Sequence, residues 1–143
     1  NVSIVDLSSN LASENSVDAV VTFRNLHNWI GPQIDKIFEN SYKALKPGGI
    51  FGVVEHRANS GTTLDAMKKS GYVTEDYAIS IAKKHGFVLV DKSEINANPK
   101  DLKNYERGVW TLPPSLRLKD KDKEKYLEIG ESDRMTLLFK KPE

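Results

Sequence analysis

The sequence predicts an α/β fold, a parallel sheet with helical crossovers, and three observations carry that expectation. Val17-Asp18-Ala19-Val20-Val21-Thr22-Phe23 is a nearly continuous β-branched run, the pattern of a strand covered on both faces by helices. Behind Pro32, which a first helical turn tolerates, Ile34, Ile37, Phe38, Ser41, Tyr42 and Leu45 recur at helical spacing. Ile50-Phe51-Gly52-Val53-Val54-Glu55-His56 restarts a strand pattern directly after Lys46-Pro47-Gly48-Gly49. Strand, helix and strand with a short connection make a βαβ unit, with parallel strands and a right-handed crossover.

The flanking segments extend this unit into one domain over 1–143. Val2-Ser3-Ile4-Val5 alternates apolar and polar and runs into the turn-rich Asp6-Leu7-Ser8-Ser9-Asn10, so 1–16 reads as a short strand and a loop. After a polar loop from Arg57 to Thr63 and a weakly patterned stretch, Thr74-Glu75-Asp76 opens a second helix with Ala78, Ile81 and Ala82 as its apolar stripe. Lys83, Lys84 and His85 suit the negative end of its dipole, and Gly86 supplies a left-handed stop. Phe87-Val88-Leu89-Val90 reads as a third buried strand and completes a βαβαβ core over 17–94. The segment 95–132, with Asn98-Pro99 and Pro113-Pro114, is too long for an ordinary connection and is therefore functional or mobile. Arg134 to Phe139, within 133–143, is the final strand.

Composition narrows the functional classes. Lys plus Arg number 21 against Asp plus Glu 20, so no strong field draws the chain to nucleic acid or to anionic lipid. The run Lys119 to Lys125 alternates in sign and reads as solvated surface. The absence of cysteine removes disulfides, thiolate metal sites and a cysteine nucleophile, and suits a reducing cytosol, so a cytoplasmic location is expected. No apolar stretch approaches the roughly 20 residues that span a bilayer, and no basic-then-apolar leader opens the sequence, which starts at Asn1. Three histidines dispersed along the chain offer no recognised metal-ligand spacing, so no metal site is expected.

Val17-Asp18 at the start of a strand, followed by Leu45-Lys46-Pro47-Gly48-Gly49 before the next, resembles the second half of class I, S-adenosylmethionine-dependent methyltransferases. Thr22-Phe23-Arg24-Asn25-Leu26-His27, Val54-Glu55-His56-Arg57-Ala58 and Asp133-Arg134 look more narrowly like a bacterial group of methyltransferases with no settled substrate. The resemblance implies a partial Rossmann-like sheet containing strands three to seven of the family order 3-2-1-4-5-7-6, the last strand antiparallel, with the N-terminal half absent. No Gly-x-Gly follows a strand here, and the family's acidic residue at the end of its second strand has no counterpart. Glycines let backbone approach the cofactor, so weak or no binding of S-adenosylmethionine by this chain alone is expected.

Candidate site residues follow from the loop after the fourth family strand, at the carboxyl end of a parallel strand where open α/β sheets bind ligands. His27 is the candidate general base, with Arg24 and Asn25 as polar positioners; His27 reads equally as a histidine at a helix start bonded to backbone. Asp6 and Leu7, with Phe23, are the candidate cofactor contacts, although Asp6 reads equally as a turn-forming aspartate. His56 and Arg57 end a strand on the same rim and are candidate substrate contacts, the alternative for Arg57 being an ion pair with Glu55 or Asp65. Tyr105 and Trp110, with Arg107 and Pro113-Pro114, would form a wall or lid over a small-molecule substrate, or pack against the sheet edge.

Three functions compete. The first is a methyltransferase fragment, inactive as isolated. The second is a non-catalytic oligomerisation or binding module, because an apolar strand with a bare edge is a template for pairing. In that event either Val2 to Val5 fills the vacancy or two copies join as a homodimer. The third is half of a nicotinamide dehydrogenase, which a parallel last strand would favour.

Overall fold

The computed structural model describes residues 1–143 and holds one four-stranded mixed sheet with strand order β1-β2-β4-β3. Strand β1 (Val17–Phe23) leads through a 3-10 turn (Leu26–Trp29) to helix α1 (Pro32–Ala44) and strand β2 (Leu45–His56). Helices α2 (Leu64–Ser70) and α3 (Glu75–Lys84), strand β3 (Val88–Ser93), a second 3-10 turn (Gly108–Thr111), helix α4 (Lys123–Ile129) and strand β4 (Arg134–Lys140) follow. β1 pairs parallel with β2, whereas β4 runs antiparallel to both β2 and β3 and lies between them. The antiparallel last strand removes the feature that would have favoured a dehydrogenase half.

The predicted βαβ unit forms for the reasons its sequence suggests. Pro32 occupies the first turn of α1, and Ile34, Ile37, Phe38 and Ser41 are buried along one stripe. Leu45 is extended and ends the helix. Lys46-Pro47-Gly48-Gly49 is not a separate turn but an irregularity inside β2: Val17 pairs with Leu45 and Ala19 already with Ile50. Gly48 adopts φ 80°, and a Cβ on Gly49 would lie 2.9 Å from the Lys46 carbonyl oxygen, so both positions suit glycine. Thr74 caps α3 by accepting the Tyr77 N–H at 3.1 Å, and Gly86 takes a left-handed φ of 94°.

Register assigns the two faces of the sheet. Val20, Phe51, Phe139 and Leu89 make one row across the strands, and Thr22, Val53 and Leu137 the next. Phe51, Val53, Leu137 and Phe139 join Ile34, Ile37, Phe38, Ala78, Ala82 and Phe87 in the main core beneath α1 and α3, and the half-buried Val20 and Leu89 pack against it. Each fully buried phenylalanine there contributes roughly 1.5–3 kcal/mol. The opposite face is open: Val21 is 57% exposed and Phe23 62%, with Ile50, Val88 and Val90 exposed as well.

This open face corrects two expectations. β1 is not covered on both sides, and β3 is not a buried strand, because the helices pack on one face only and both strands lie at sheet edges. The strand expected at Val2 to Val5 is also absent. Those residues lie outside the sheet with Val2 and Ile4 almost fully exposed, and they do not fill the bare edge of β1. A short alternating segment gains ladder hydrogen bonds only beside a partner strand, and it has none here. The loop behind it is tethered, as the Asn40 side-chain amide donates to the Ser9 carbonyl at 2.7 Å. Helix α2, inside the weakly patterned stretch, is held at its start by Thr63 and ended by left-handed Gly71.

Candidate active site

β1 and β2 run the same way, so Phe23 and His56 finish on one rim, and β4 begins there because Arg134 pairs with His56. A cleft of about 300 Å³ opens above this rim. Its floor includes Arg24, His27 and His56, and its far wall is built by Trp110, Pro113, Pro114 and Ser115 of the insert. The insert is seated by Gly108, at φ 56°, where a Cβ would lie 2.3 Å from the Ser70 carbonyl oxygen.

Beneath the cleft lies Glu55, whose position explains the geometry of both histidines. Phe51, Val53 and Glu55 alternate onto the core face of β2, so the carboxylate is fully buried. It accepts the backbone N–H of His27 and the backbone N–H of His56, each at 2.8 Å. The His27 ring places Nδ1 at 3.1 Å from both Glu55 oxygens. A carboxylate accepts only, so Nδ1 carries a proton, and in the neutral ring Nε2 keeps its lone pair. No protein group bonds that Nε2, and the residue lines the cleft. This is the carboxylate–imidazole geometry of a positioned base.

His56 is a different histidine. Its Nδ1 contacts Ser132 Oγ at 2.5 Å, and its ring lies 5.5 Å from that of His27. Burial pushes its pKa down to about 3, and the charges of His27, Arg134 and Arg24 push the same way, so it is neutral at physiological pH. The ring of Trp110 stands edge-on to His27 at 5.8 Å, and the Arg117 guanidinium covers Trp110 at 4.7 Å.

The structure sorts the remaining candidate residues. Leu7, Phe23 and Asn25 line a second, apolar hollow of about 330 Å³ along the bare edge of β1, together with Leu11 and Trp29. Phe23 borders both hollows and stands between them. Asp6 is exposed and turned to its own loop, where it accepts the N–H and hydroxyl of Ser8; these bonds hold its carboxyl below the usual range. Arg57 lies away from the cleft and pairs with Glu75, Glu94 and Asp133 rather than with Glu55 or Asp65. Its hydrogen bonds to Glu94 and then to Asp133 raise its pKa further. Asp133 is in turn lowered to about 2: burial pushes it up, but bonds from Arg57, Lys103 and the Asn98 amide outweigh that. Tyr105 packs edge-on against Tyr126 at 5.8 Å and accepts the Leu102 N–H, outside the cleft.

Two points escaped the sequence. Glu55 stands out in the sequence only as an ion-pair partner for Arg57, although a carboxylate on the core face of an apolar strand signals a buried group that must be paired. His27, His56 and Glu55 are dispersed along the chain yet converge, with one ligand-capable atom of each within 4.8 Å of the others. The expectation of no metal site therefore loses its premise of dispersion. The carboxylate, already holding two amides and an imidazole, suits positioning a base better than binding an ion.

The residues fit a nucleoside cofactor only in part. Leu7, Leu11 and Phe23 offer an apolar flank, but Asp6 is engaged by Ser8, and no glycine-rich turn borders the hollow.

Comparison with known proteins agrees with the fold. The family described as a methyltransferase domain matches residues 3–53. Among curated proteins no sequence matches. Among solved structures, the 4+2 cyclase SpnF aligns with a TM-score of 0.62 and 18% identity over 98% of this chain and 55% of its own. A candidate sarcosine dimethylglycine methyltransferase from Galdieria sulphuraria aligns at 0.63 and 17% over 96% of this chain and 57% of its own. The 1,6-didemethyltoxoflavin-N1-methyltransferase of Burkholderia thailandensis, solved with S-adenosylhomocysteine bound, aligns at 0.57 and 12% over 97% of this chain and 49% of its own. The chain thus spans about half the length of these structures. Its matched N-terminal segment and its sheet, with the last strand antiparallel between two others, give it the fold of S-adenosylmethionine-dependent class I methyltransferases.

Proposed function

We propose that this chain is the acceptor-side half of an S-adenosylmethionine-dependent methyltransferase acting on a small molecule. In this reading β1, β2, β3 and β4 correspond to the fourth, fifth, sixth and seventh strands of the family. The observation that carries it is His27, fastened through Nδ1 to buried Glu55 and presenting Nε2 to a cleft at the carboxyl end of parallel strands. Fold alone does not carry it, since a cyclase shares the architecture.

S-adenosylmethionine supplies an electrophilic methyl group when bound, and the chain's own residues handle the acceptor. Nε2 of His27 takes the acceptor's proton, and Glu55 holds the ring in the required tautomer and stabilises the imidazolium that forms. Neutral His56 and Ser132 offer hydrogen bonds from the floor, while Trp110, Pro113 and Pro114 limit water at one wall. The isolated chain is expected to be inactive, because positioning-dependent chemistry fails without the glycine-rich surface.

Two measurements test this. Long-range imidazole 15N NMR is expected to show His27 as the Nδ1–H tautomer; the Nε2–H tautomer would remove the base. Calorimetric titration is expected to show no micromolar binding of S-adenosylmethionine, and tight binding would overturn the half-site reading.

A second reading is favoured by the open sheet face: exposed Val21 and Phe23 beside the unpaired edge of β1 suit a homodimer or binding module.

A further inference from the structure

We propose that the acceptor bound in the cleft is a small monoanion bearing a carboxylate, held by Arg24; the inference rests on the acceptor-side reading of this cleft.

Arg24 follows β1 in a left-handed conformation, φ 53°, and its N–H donates to the Val54 carbonyl at 2.7 Å. The backbone is thus pinned where the chain turns, and the side chain lines the cleft beside His27 and His56. A left-handed non-glycine residue carries a local cost that surrounding structure must offset, a feature common at ligand sites. Its guanidinium makes no ion pair and no hydrogen bond within the protein, whereas Arg57 and Arg134 both have carboxylate partners.

Counting the charged groups that line the cleft gives Arg24 and Arg134 against Glu131, and Arg134 is paired with Glu131. Among the groups lining the cleft, Arg24 alone has a guanidinium without a carboxylate partner, while Glu55 beneath the floor is engaged by His27 and two backbone amides. The field of this guanidinium reaches His56, which Arg24, Arg134 and His27 all bias toward its neutral form. A single uncompensated guanidinium matches a planar, two-oxygen monoanion better than a dianion. The volume of about 300 Å³ lies at the small end of ligand pockets, and Trp110 with Pro113 and Pro114 supplies flat apolar wall for a compact body. An acceptor so anchored would present its reacting N–H or O–H to Nε2 of His27.

The probes are benzoate, its neutral isostere benzamide, and phenyl phosphate, each titrated into the full chain while the ring C–H resonances of His27 and His56 are followed. Benzoate is expected to shift both and to saturate, with benzamide shifting neither at equal concentration. Arg24→Gln is expected to weaken benzoate about tenfold, the loss of one charge-assisted pair. Glu131→Gln, at an exposed side chain, frees Arg134 and is expected to tighten benzoate severalfold. Equal response to benzamide, an unchanged affinity in both variants, or tighter binding of phenyl phosphate than of benzoate would overturn the proposal. No methyl transfer enters this experiment, so benzoate binding with the wrong His27 tautomer would sink the proposed function alone, and the reverse pattern would sink this inference alone.

Discussion

Glu55 is the residue on which most of the rim depends. It is fully buried, accepts two backbone amides and contacts one imidazole, so nothing around it can replace the lost acceptor. Glu55→Gln turns an amide NH2 toward a backbone N–H and is expected to cost about 1–3 kcal/mol in urea denaturation. His27→Gln keeps an amide NH2 able to donate to the Glu55 carboxylate and is expected to cost less than Glu55→Gln. His56 gives a pH signature. Its pKa is about 3 in the fold against about 6.5 unfolded, so between these values the unfolded chain binds the extra proton. Stability is therefore expected to fall as pH drops from 7 toward 4, by up to about 3 kcal/mol from this group. His56→Gln should flatten that slope, which thermal melts across the range would reveal. Asp133, held at about 2, adds a separate loss below its ordinary pKa near 4.

Single elements show what the sequence made legible. The strand-helix-strand unit could be read because Val17 to Phe23 and Ile50 to His56 flank one apolar stripe at helical spacing, with proline at its start. The exposure of Val21 and Phe23 could not be read, because apolar runs report the capacity to be covered and not what covers them. Helix α2 is not legible in the sequence, since its seven residues bury only Met67, too short a stretch for periodicity to emerge. His27 and Arg24 were legible from their place after β1, but their link to Glu55 and to the insert depends on contacts between distant segments. The insert's seat gives an element-level test. Gly108→Ala would drive a Cβ into the Ser70 backbone at a left-handed position, and a loss of more than about 2 kcal/mol is expected on chemical denaturation. The Trp110 fluorescence should shift with it, as Trp110 lies within the same 3-10 turn.

At the scale of the whole molecule, the helices cover one face of a four-stranded sheet, and the other face carries Val21, Phe23, Val88 and Val90 in the open. No helix is long and apolar enough to cross a membrane. Self-association through the open face is expected on sedimentation velocity at high concentration, and Val21→Lys should shift the distribution toward monomer. A well-folded monomer at every concentration would discard the homodimer.

Phe23 closes both the cleft and the apolar hollow beside it. Trimming that ring to admit a bulkier molecule on one side would slacken the seat on the other, so one position cannot adjust the two chambers separately. Trp110, Pro113 and Pro114 touch one chamber only, so changes there would reshape the cleft and leave the apolar hollow as it is.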